Sequence, residues 1–300
     1  MALVECVPNF SEGRRPEVVD AIVAAITAVP GARRIDHSLD ASHNRAVVTF
    51  VAPPEAAVEA AFRGIAKARD LIDLTRHQGE HPRIGATDVV PFVPLEGSDM
   101  AQCVRLAHEL GARVGHELEI PVYFYEAAAR TPARRNLPDV RNIGFEKLRV
   151  AVTTDPARTP DEGPRDHLHP TAGAVVIGAR SFLIAYNVNL GTPDVAVAKD
   201  IAKRIREKDG GLKGIKAMGF FLEDLGCAQV SMNVCDFQST GLERVYREIE
   251  QLAAERGVAI RESELVGLAP RQAVPPGLAE RVKLRGFDPR TQLIEERLSA

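Results

Sequence analysis

Tryptophan is absent from the 300-residue sequence, and tyrosine and cysteine occur four times each. So few aromatics, with no interleaving of basic and aromatic residues, argue against a base-stacking surface for nucleic acid. The cysteines, Cys6, Cys103, Cys227 and Cys235, form no Cys-x-x-Cys pair, so reduced thiols are expected, not a zinc or disulfide framework. No apolar run approaches the ~18 residues of a membrane span. The first residues carry an acid, Glu5, where a secretory signal has a basic head and an apolar stretch. A cytoplasmic protein away from membranes is the expectation. An excess of one charge is also missing: 38 Lys and Arg against 41 Asp and Glu leave −3, with no global pull toward nucleic acid or anionic lipid. What remains is ordinary globular usage, 45% hydrophobic and 26% charged, in a chain long enough for about two domains at roughly 100–200 residues each.

The apolar periodicity predicts an α/β (α+β) protein in two halves. Residues 3–10 read as a strand, followed by a helix striped by Val18, Val19, Ile22, Val23 and Ile26. Residues 47–51 are a buried strand, and Pro53-Pro54 opens a helix carrying Val58, Ala61, Phe62, Ile65 and Ile72. A strand at 89–93, a helix opened by Ser98 and a strand at 122–125 close this half. The second half predicts a strand at 182–188 ending in the pair Asn187 and Asn189, then a helix capped by Thr192-Pro193. Strands at 215–222 and 228–234 follow. Thr240-Gly-Leu-Glu243 has the form of a capping box before a helix, and residues 258–266 form the last strand. Each half is read as β-α-β-β-α-β, the ferredoxin-like pattern. Strand, Asn and helix recur at 4–26 and 183–205, which fits an old duplication or two unrelated α/β halves. The division is expected at 1–177 and 178–300. Residues 150–172 lack an apolar period and form a crossover loop, too long and too rich in hydrogen-bonding groups for a mere spacer.

The densest chemistry lies in Arg76-His-Gln-Gly-Glu-His-Pro-Arg-Ile-Gly85. His77-x-x-Glu80-His81 formally matches the inverted zincin motif, which needs a helix to put both histidines on one face. Gly79 inside it and Pro82 after it disfavour helix, and no third ligand stands out, so no metal is expected. An acid–base imidazole is the other reading, because histidine both takes and gives a proton near neutral pH. A histidine that merely hydrogen-bonds its own loop would leave the same local pattern. Asp36-His-Ser-Leu-Asp-Ala-Ser-His43-Asn44-Arg45 is a second cluster, in a composition that turns favour for their own backbone bonds. Residues 130–149 hold six Lys and Arg against two acids, and 200–216 six against three, which suits a small polyanion or a solvated face.

The sequence resembles the glutamate formimidoyltransferase family, the formiminotransferase part of an enzyme fused in animals to a cyclodeaminase. The resemblance rests on Val4-Glu-Cys-Val-Pro-Asn-Phe-Ser-Glu-Gly13, Asn44-Arg45, Thr49-Phe-Val51, Pro53-Pro-Glu55 and Leu71-Ile-Asp73. It continues through Arg76-His77, Gly79-Glu-His-Pro-Arg83, Gly85, Asp88, Pro91-Phe92, Pro121-Val-Tyr123, Arg134-Arg135, Gly178-Ala-Arg180 and Phe182-Leu-Ile-Ala185. It spans Val4 to about Pro270, and the cyclodeaminase part is expected to be absent. It implies two ferredoxin-like subdomains with a folate tunnel between them, and a homodimer. A separate cyclodeaminase partner is a further expectation. It implies transfer of the formimino group from N-formimino-L-glutamate to N5 of tetrahydrofolate, the co-substrate, with His81 as general acid/base. The family's folate-contacting segment falls on Gly163, Pro164, Arg165, Asp166, His167, Leu168, His169, Pro170, Thr171, Ala172 and Gly173. Glu162 stands where animal members carry an aromatic residue. Arg45 and Arg83 are candidates for the substrate carboxylates by charge, and Glu80 for orienting His81. A formyl donor in place of the formimino donor, or a folate-binding paralogue without catalysis, are the alternative functions.

Overall fold

A computed structural model describes residues 2–79 and 82–299. The chain divides into two compact units, Met1–Arg180 and Ser181–Ala300, where the sequence places the division at 177/178.

Unit 1 runs β1 (Val4–Cys6), β2 (Asn9–Phe10), α1 (Pro16–Thr27), β3 (Arg33–Asp40), β4 (Arg45–Ala52), α2 (Pro54–Leu71) and β5 (Thr87–Pro94). It continues with α3 (Met100–Glu117), β6 (Val122–Glu126), α4 (Leu137–Arg141), α5 (Gly144–Thr154) and β7 (Val175–Ala179). β1 and β2 act as one strand with a break at Val7-Pro8, where proline has no N–H to donate. Both lie between β4 and β5. The order across the sheet is β3, β4, β1/β2, β5, β7, β6, with the last three strands parallel. Strand alternation sends Val122 and Phe124 into the core under α1, α2 and α3, and Tyr123 and Tyr125 into a second core with Val140, Phe145, Leu148 and Val152.

Unit 2 runs β8 (Ile184–Leu190), α6 (Val195–Ile205), β9 (Ile215–Leu222), β10 (Cys227–Val234), α7 (Leu242–Ala254) and β11 (Ile260–Val266). Three short helices follow, α8 (Leu278–Arg281), α9 (Pro289–Gln292) and α10 (Ile294–Ser299). Its sheet is antiparallel in the order β11, β8, β10, β9, and Tyr186, Val188, Val230, Val245, Tyr246 and Ile249 lie in its core.

Several expectations are corrected. Residues 36–40, read as turn, belong to β3, and the turn is confined to 41–44. β3 escapes notice in the sequence because Arg33, Arg34, Asp36 and Asp40 leave Ile35 as its one buried residue; charge on an edge strand is a usual guard against edge-to-edge pairing. The stretch taken as aperiodic from 150 begins inside α5, and β7 follows it. The capping box does not form: Gly241 caps α7, while Glu243 pairs with Arg281. Helices α3 and α6 are capped by Asp99 and Asp194, not by the neighbouring Ser98 or Thr192. The cysteines are free thiols, three of them buried. Among the described residues no helix is long and apolar enough to cross a membrane.

Candidate active site

Three segments of unit 1 interlock at the turn between β3 and β4. A Cβ at Gly13 would lie 2.2 Å from the Asp40 carbonyl oxygen, and one at Gly79 would lie 2.3 Å from that of His43. Side chains complete the grip. Asn44, in the left-handed region at φ 49°, accepts from the Gly13 N–H at 3.0 Å and donates to the Gln78 carbonyl at 3.0 Å. Asparagine tolerates that conformation better than most residues, because its short side chain bonds locally. Phe10, Ser11, His43, Asn44, Arg45, His77, Arg83 and Asp88 line the resulting cleft.

Its polar groups are held in defined states. His77 Nε2 lies 2.9 Å from the Asn44 carbonyl, and Arg83 Nε donates to His77 Nδ1 at 2.9 Å. Since the carbonyl can only accept and the guanidinium only donate, His77 is assigned the neutral Nε2–H tautomer. Burial pushes its pKa down, the Asn44 bond opposes that, and the Arg83 charge lowers it further. Both ring nitrogens of His77 are thus committed to protein groups, which disfavours a metal-ligand role for it. Arg83 also forks onto Glu146 of α5, at 2.8 and 3.1 Å, and holds that carboxyl below its usual range.

Arg45 donates to Asn9 Oδ1, and burial lowers its pKa, with the charge of Arg141 adding to the effect and Asp88 opposing it. Asp88, itself buried, accepts from the Ile84 N–H at 2.8 Å and pairs with Arg141 at 2.8 Å. The cleft therefore holds the guanidinium groups of Arg45 and Arg83, while Arg141 pairs with Asp88 of its lining and Glu146 with Arg83. A desolvated arginine gains strongly from a bidentate carboxylate, so the chemistry suits a dicarboxylic substrate.

The expected folate segment is joined to the same loop. Gly85 and Gly173 bridge, Ala86 N–H donates to the Ala172 carbonyl at 2.9 Å, and Ala174 N–H donates to the Ile84 carbonyl at 2.9 Å. His169 turns the segment, its Nδ1 accepting from the Ala172 N–H at 3.0 Å, and burial pushes its pKa down. Leu168, Ala172 and Gly173 are buried, whereas Arg165, Asp166 and His167 are exposed. Of the remaining expected residues, Glu80 and His81 lie outside the described residues, between the placed Gly79 and Pro82. Sequence reasoning does not connect Glu146 and Arg141 to this site; they lie 63 and 53 residues from their partners, and no local period signals such a contact. Within the basic stretch 130–149, Arg134 pairs with Asp161 at 2.5 Å and Arg130 with Glu162 at 2.5 Å.

The formiminotransferase domain, N-terminal subdomain, matches residues 3–180, and the formiminotransferase domain matches residues 185–277. The chain belongs to the formiminotransferase family. A glutamate formimidoyltransferase of Thermoplasma acidophilum is 49% identical to it, covering 96% of this chain and 95% of that one. Another, of Streptococcus pyogenes serotype M1, is 43% identical over 99% of this chain and 98% of its own. The formimidoyltransferase-cyclodeaminase of Mus musculus is 44% identical over 91% of this chain, but the match spans only 51% of that longer protein. The two formiminotransferase segments fall one within each compact unit, and the cleft lies in the N-terminal one.

Proposed function

We propose that this cleft is the formimino-transfer site of a glutamate formimidoyltransferase, moving the formimino group from N-formimino-L-glutamate to N5 of tetrahydrofolate. The observation that carries the reading is the arginine-rich cleft joined by main-chain bonds to the 169–173 segment, in a chain 43–49% identical to two glutamate formimidoyltransferases. Both units fit the ferredoxin-like plan. In each, the last strand of a β-α-β-β-α-β run lies beside the first, followed by the third and second, and α3, β6 and β7 extend unit 1.

The chemistry is substitution at an amidine carbon. N5 of tetrahydrofolate forms a bond to that carbon, giving a tetrahedral intermediate, and the bond from carbon to the glutamate nitrogen then breaks. N5 sheds a proton and the departing nitrogen takes one up, so the exchange is proton-neutral overall. An imidazole is suited to both transfers at neutral pH, and His81 is the residue we assign to them, with Glu80 as its orienting group. Arg45 and Arg83 hold the substrate carboxylates, Arg83 by exchanging or sharing its Glu146 partner. Residues 163–173 hold the folate.

A steady-state assay tests the reading: glutamate release must require both tetrahydrofolate and the formimino donor. Release with the formyl donor alone would transfer the assignment to that chemistry. His81→Ala should lose on the order of 10²–10⁴-fold in turnover while remaining folded. Normal turnover by that variant would remove His81 from the mechanism.

A further inference from the structure

Four strands stand at the edges of the two sheets, β3 and β6 in unit 1 and β11 and β9 in unit 2. An edge presents a row of main-chain N–H and C=O groups, and proteins guard such rows with charge, a bulge or a covering segment. β3 carries Arg33, Arg34, Asp36 and Asp40, and its register shifts between Arg34 and Asp36. β6 is covered by 161–162: the Val122 N–H donates to the Glu162 carbonyl at 3.0 Å, and the Asp161 N–H to that of Val122 at 2.8 Å. β11 is covered by 283–285, where the Ser263 N–H donates to the Lys283 carbonyl and the Arg285 N–H to that of Ser263, both at 2.8 Å. β9 has none of these guards. Among the described residues it pairs with β10 alone, in unbroken register from Ile215 to Leu222, and it carries a single charge, Lys216, and no proline. Ile215 and Ala217 face the core, and a Cβ at Gly219 would lie 2.4 Å from the Lys199 nitrogen of α6. Alternation therefore sends Met218 and Phe220 to the opposite face, where they are 60% and 44% exposed, while Phe221, on the helix side, is 46% exposed. Three large apolar side chains bare on one strand exceed the single scattered residues normal for a surface.

We propose that β9 is the seam of a two-fold dimer, pairing antiparallel with β9 of a second copy so that the two four-stranded sheets become one continuous sheet. The strand is complementary to itself. A two-fold axis perpendicular to a sheet keeps every side chain on its own face, so such a seam is centred on a residue, not between two. Centred on Phe220, it sets that ring beside its own symmetry copy and Met218 opposite Leu222. Gly219 then lies opposite Phe221, and the missing side chain leaves the aromatic ring room to cover the glycine. Lys216 falls opposite Asp224, which with Glu223 forms the exposed turn after β9, so each end of the seam joins a cation to an acidic turn. Centred on Gly219 instead, the seam would set Glu223 against the buried Ile215. Aromatic and opposite-charge pairs directly across antiparallel strands are stabilising, and the bare main-chain row supplies the ladder between them. A second copy is the occupant that these matches select, because one strand supplies both halves of each. The inference stands apart from the transferase reading.

Sedimentation equilibrium of the full chain at micromolar concentration should give twice the 32.6 kDa chain mass. Phe220→Lys sets two like charges side by side at the axis and should weaken the dimer on the order of 100-fold, with circular dichroism confirming the fold. Lys216→Glu should weaken it on the order of 10-fold, and adding Asp224→Lys to that variant should restore it. Phe220→Cys tests the register independently of any loss of affinity. Residues directly opposite in an antiparallel pair have Cα atoms about 4.5–5.5 Å apart, within the span of a disulfide, so mild oxidation should yield a covalent dimer. Val266→Cys, exposed on β11, and the wild type with its own thiols should not cross-link under the same conditions. A wild type that sediments as a monomer overturns the proposal and leaves the edge to a partner of another sequence. A dimer undiminished by Phe220→Lys, with no cross-link through Phe220→Cys, means that the copies meet elsewhere and overturns it equally. None of these readouts depends on activity, so a failure of the transferase reading is distinguishable from a failure of the seam.

Discussion

The two units share a strand order but place their polar residues in opposite ways. In unit 2 the polar side chains stand on a sheet face and bond to one another across strands. Asn189 of β8 lies between Gln229 of β10 and Glu262 of β11, Asn187 bonds Glu264, and Arg285 bridges both glutamates. In unit 1 the polar groups of the cleft sit at strand ends and in loops, and many of their bonds go to main chain: Ser11 to Gly85, Asn44 to Gly13 and Gln78, Asp88 to Ile84. Side-chain rows across strands stiffen a surface. Bonds from side chain to loop backbone fix the position of a loop, which is what a site built on loops needs. The difference teaches that one topology supports a structural face in one place and a chemical cleft in another, according to where its hydrogen-bonding side chains fall.

The largest expected effect comes from breaking the loop packing. At Gly85 a Cβ would fall 1.9 Å from the Ala174 carbonyl oxygen and 2.5 Å from that of Thr87, both main-chain atoms that cannot swing away. Gly85→Ala should therefore cost on the order of 4 kcal/mol or more and separate the cleft from the 169–173 segment. Gly257 of unit 2, at φ 66° with nothing within 4 Å of an added Cβ, is the control. Its alanine variant meets only backbone strain, about 1–2 kcal/mol. Equal urea midpoints for the two variants would show that the close approach at Gly85 carries no special weight.

The second effect concerns Glu5, a carboxyl in the middle of unit 1's sheet, between Val51 and Val93. Burial raises its pKa from 4.5 to about 7, against the lowering effect of Arg180. The folded state thus keeps the proton where the unfolded chain has lost it. Its contribution to stability is complete below pH 4.5 and is lost as pH rises to about 7, where the penalty levels off at roughly 3 kcal/mol. Glu5→Gln removes that slope. The variant should match the wild type at pH 4.5 and exceed it at pH 8, as read from denaturant melts at the two pH values. A wild type whose stability does not fall relative to the variant across that window would show that the carboxyl is ionised in the folded chain.

Sequence makes most legible what rests on repeated apolar spacing. Val18, Val19, Ile22 and Ile26 are buried along α1, and Leu242, Val245, Tyr246, Ile249 and Leu252 along α7, because each helix must bury one stripe. α5 obeys the same rule through Phe145, Leu148 and Val152, but its arginine and lysine residues draw attention to a charge run instead. β3 lies below notice because an edge strand buries little. The turn cluster is visible in composition as Asp40, His43, Asn44 and Arg45, whereas the grip of Gly13 and Gly79 on it is not. Contacts such as Arg83 with Glu146 and Asp88 with Arg141 are set by how the sheet stacks its helices and loops, and no short-range pattern encodes them.

The smallest effect sharpens the comparison from the side of unit 2. Asn189 is fully buried; its Nδ2 donates to Glu262 at 3.1 Å and its Oδ1 accepts from Gln229 at 2.9 Å. Asn189→Ala removes both bonds, yet neither partner is stranded. Gln229 retains Glu264 at 3.2 Å, and Glu262 retains Arg285 at 2.9 Å. The cost should therefore fall near 1–2 kcal/mol, toward the lower part of the range for losing a buried hydrogen-bond partner. Asn189→Asp should cost more, because it sets a third carboxylate beside Glu262 and Glu264. Hydrogen exchange at the β8 amides locates the effect: faster exchange there, with the β4 and β5 amides of unit 1 unchanged, is the expected pattern. An alanine variant as stable as the wild type would mean that the rows on this face only satisfy their own polarity, and that unit 2 is held by its apolar core alone.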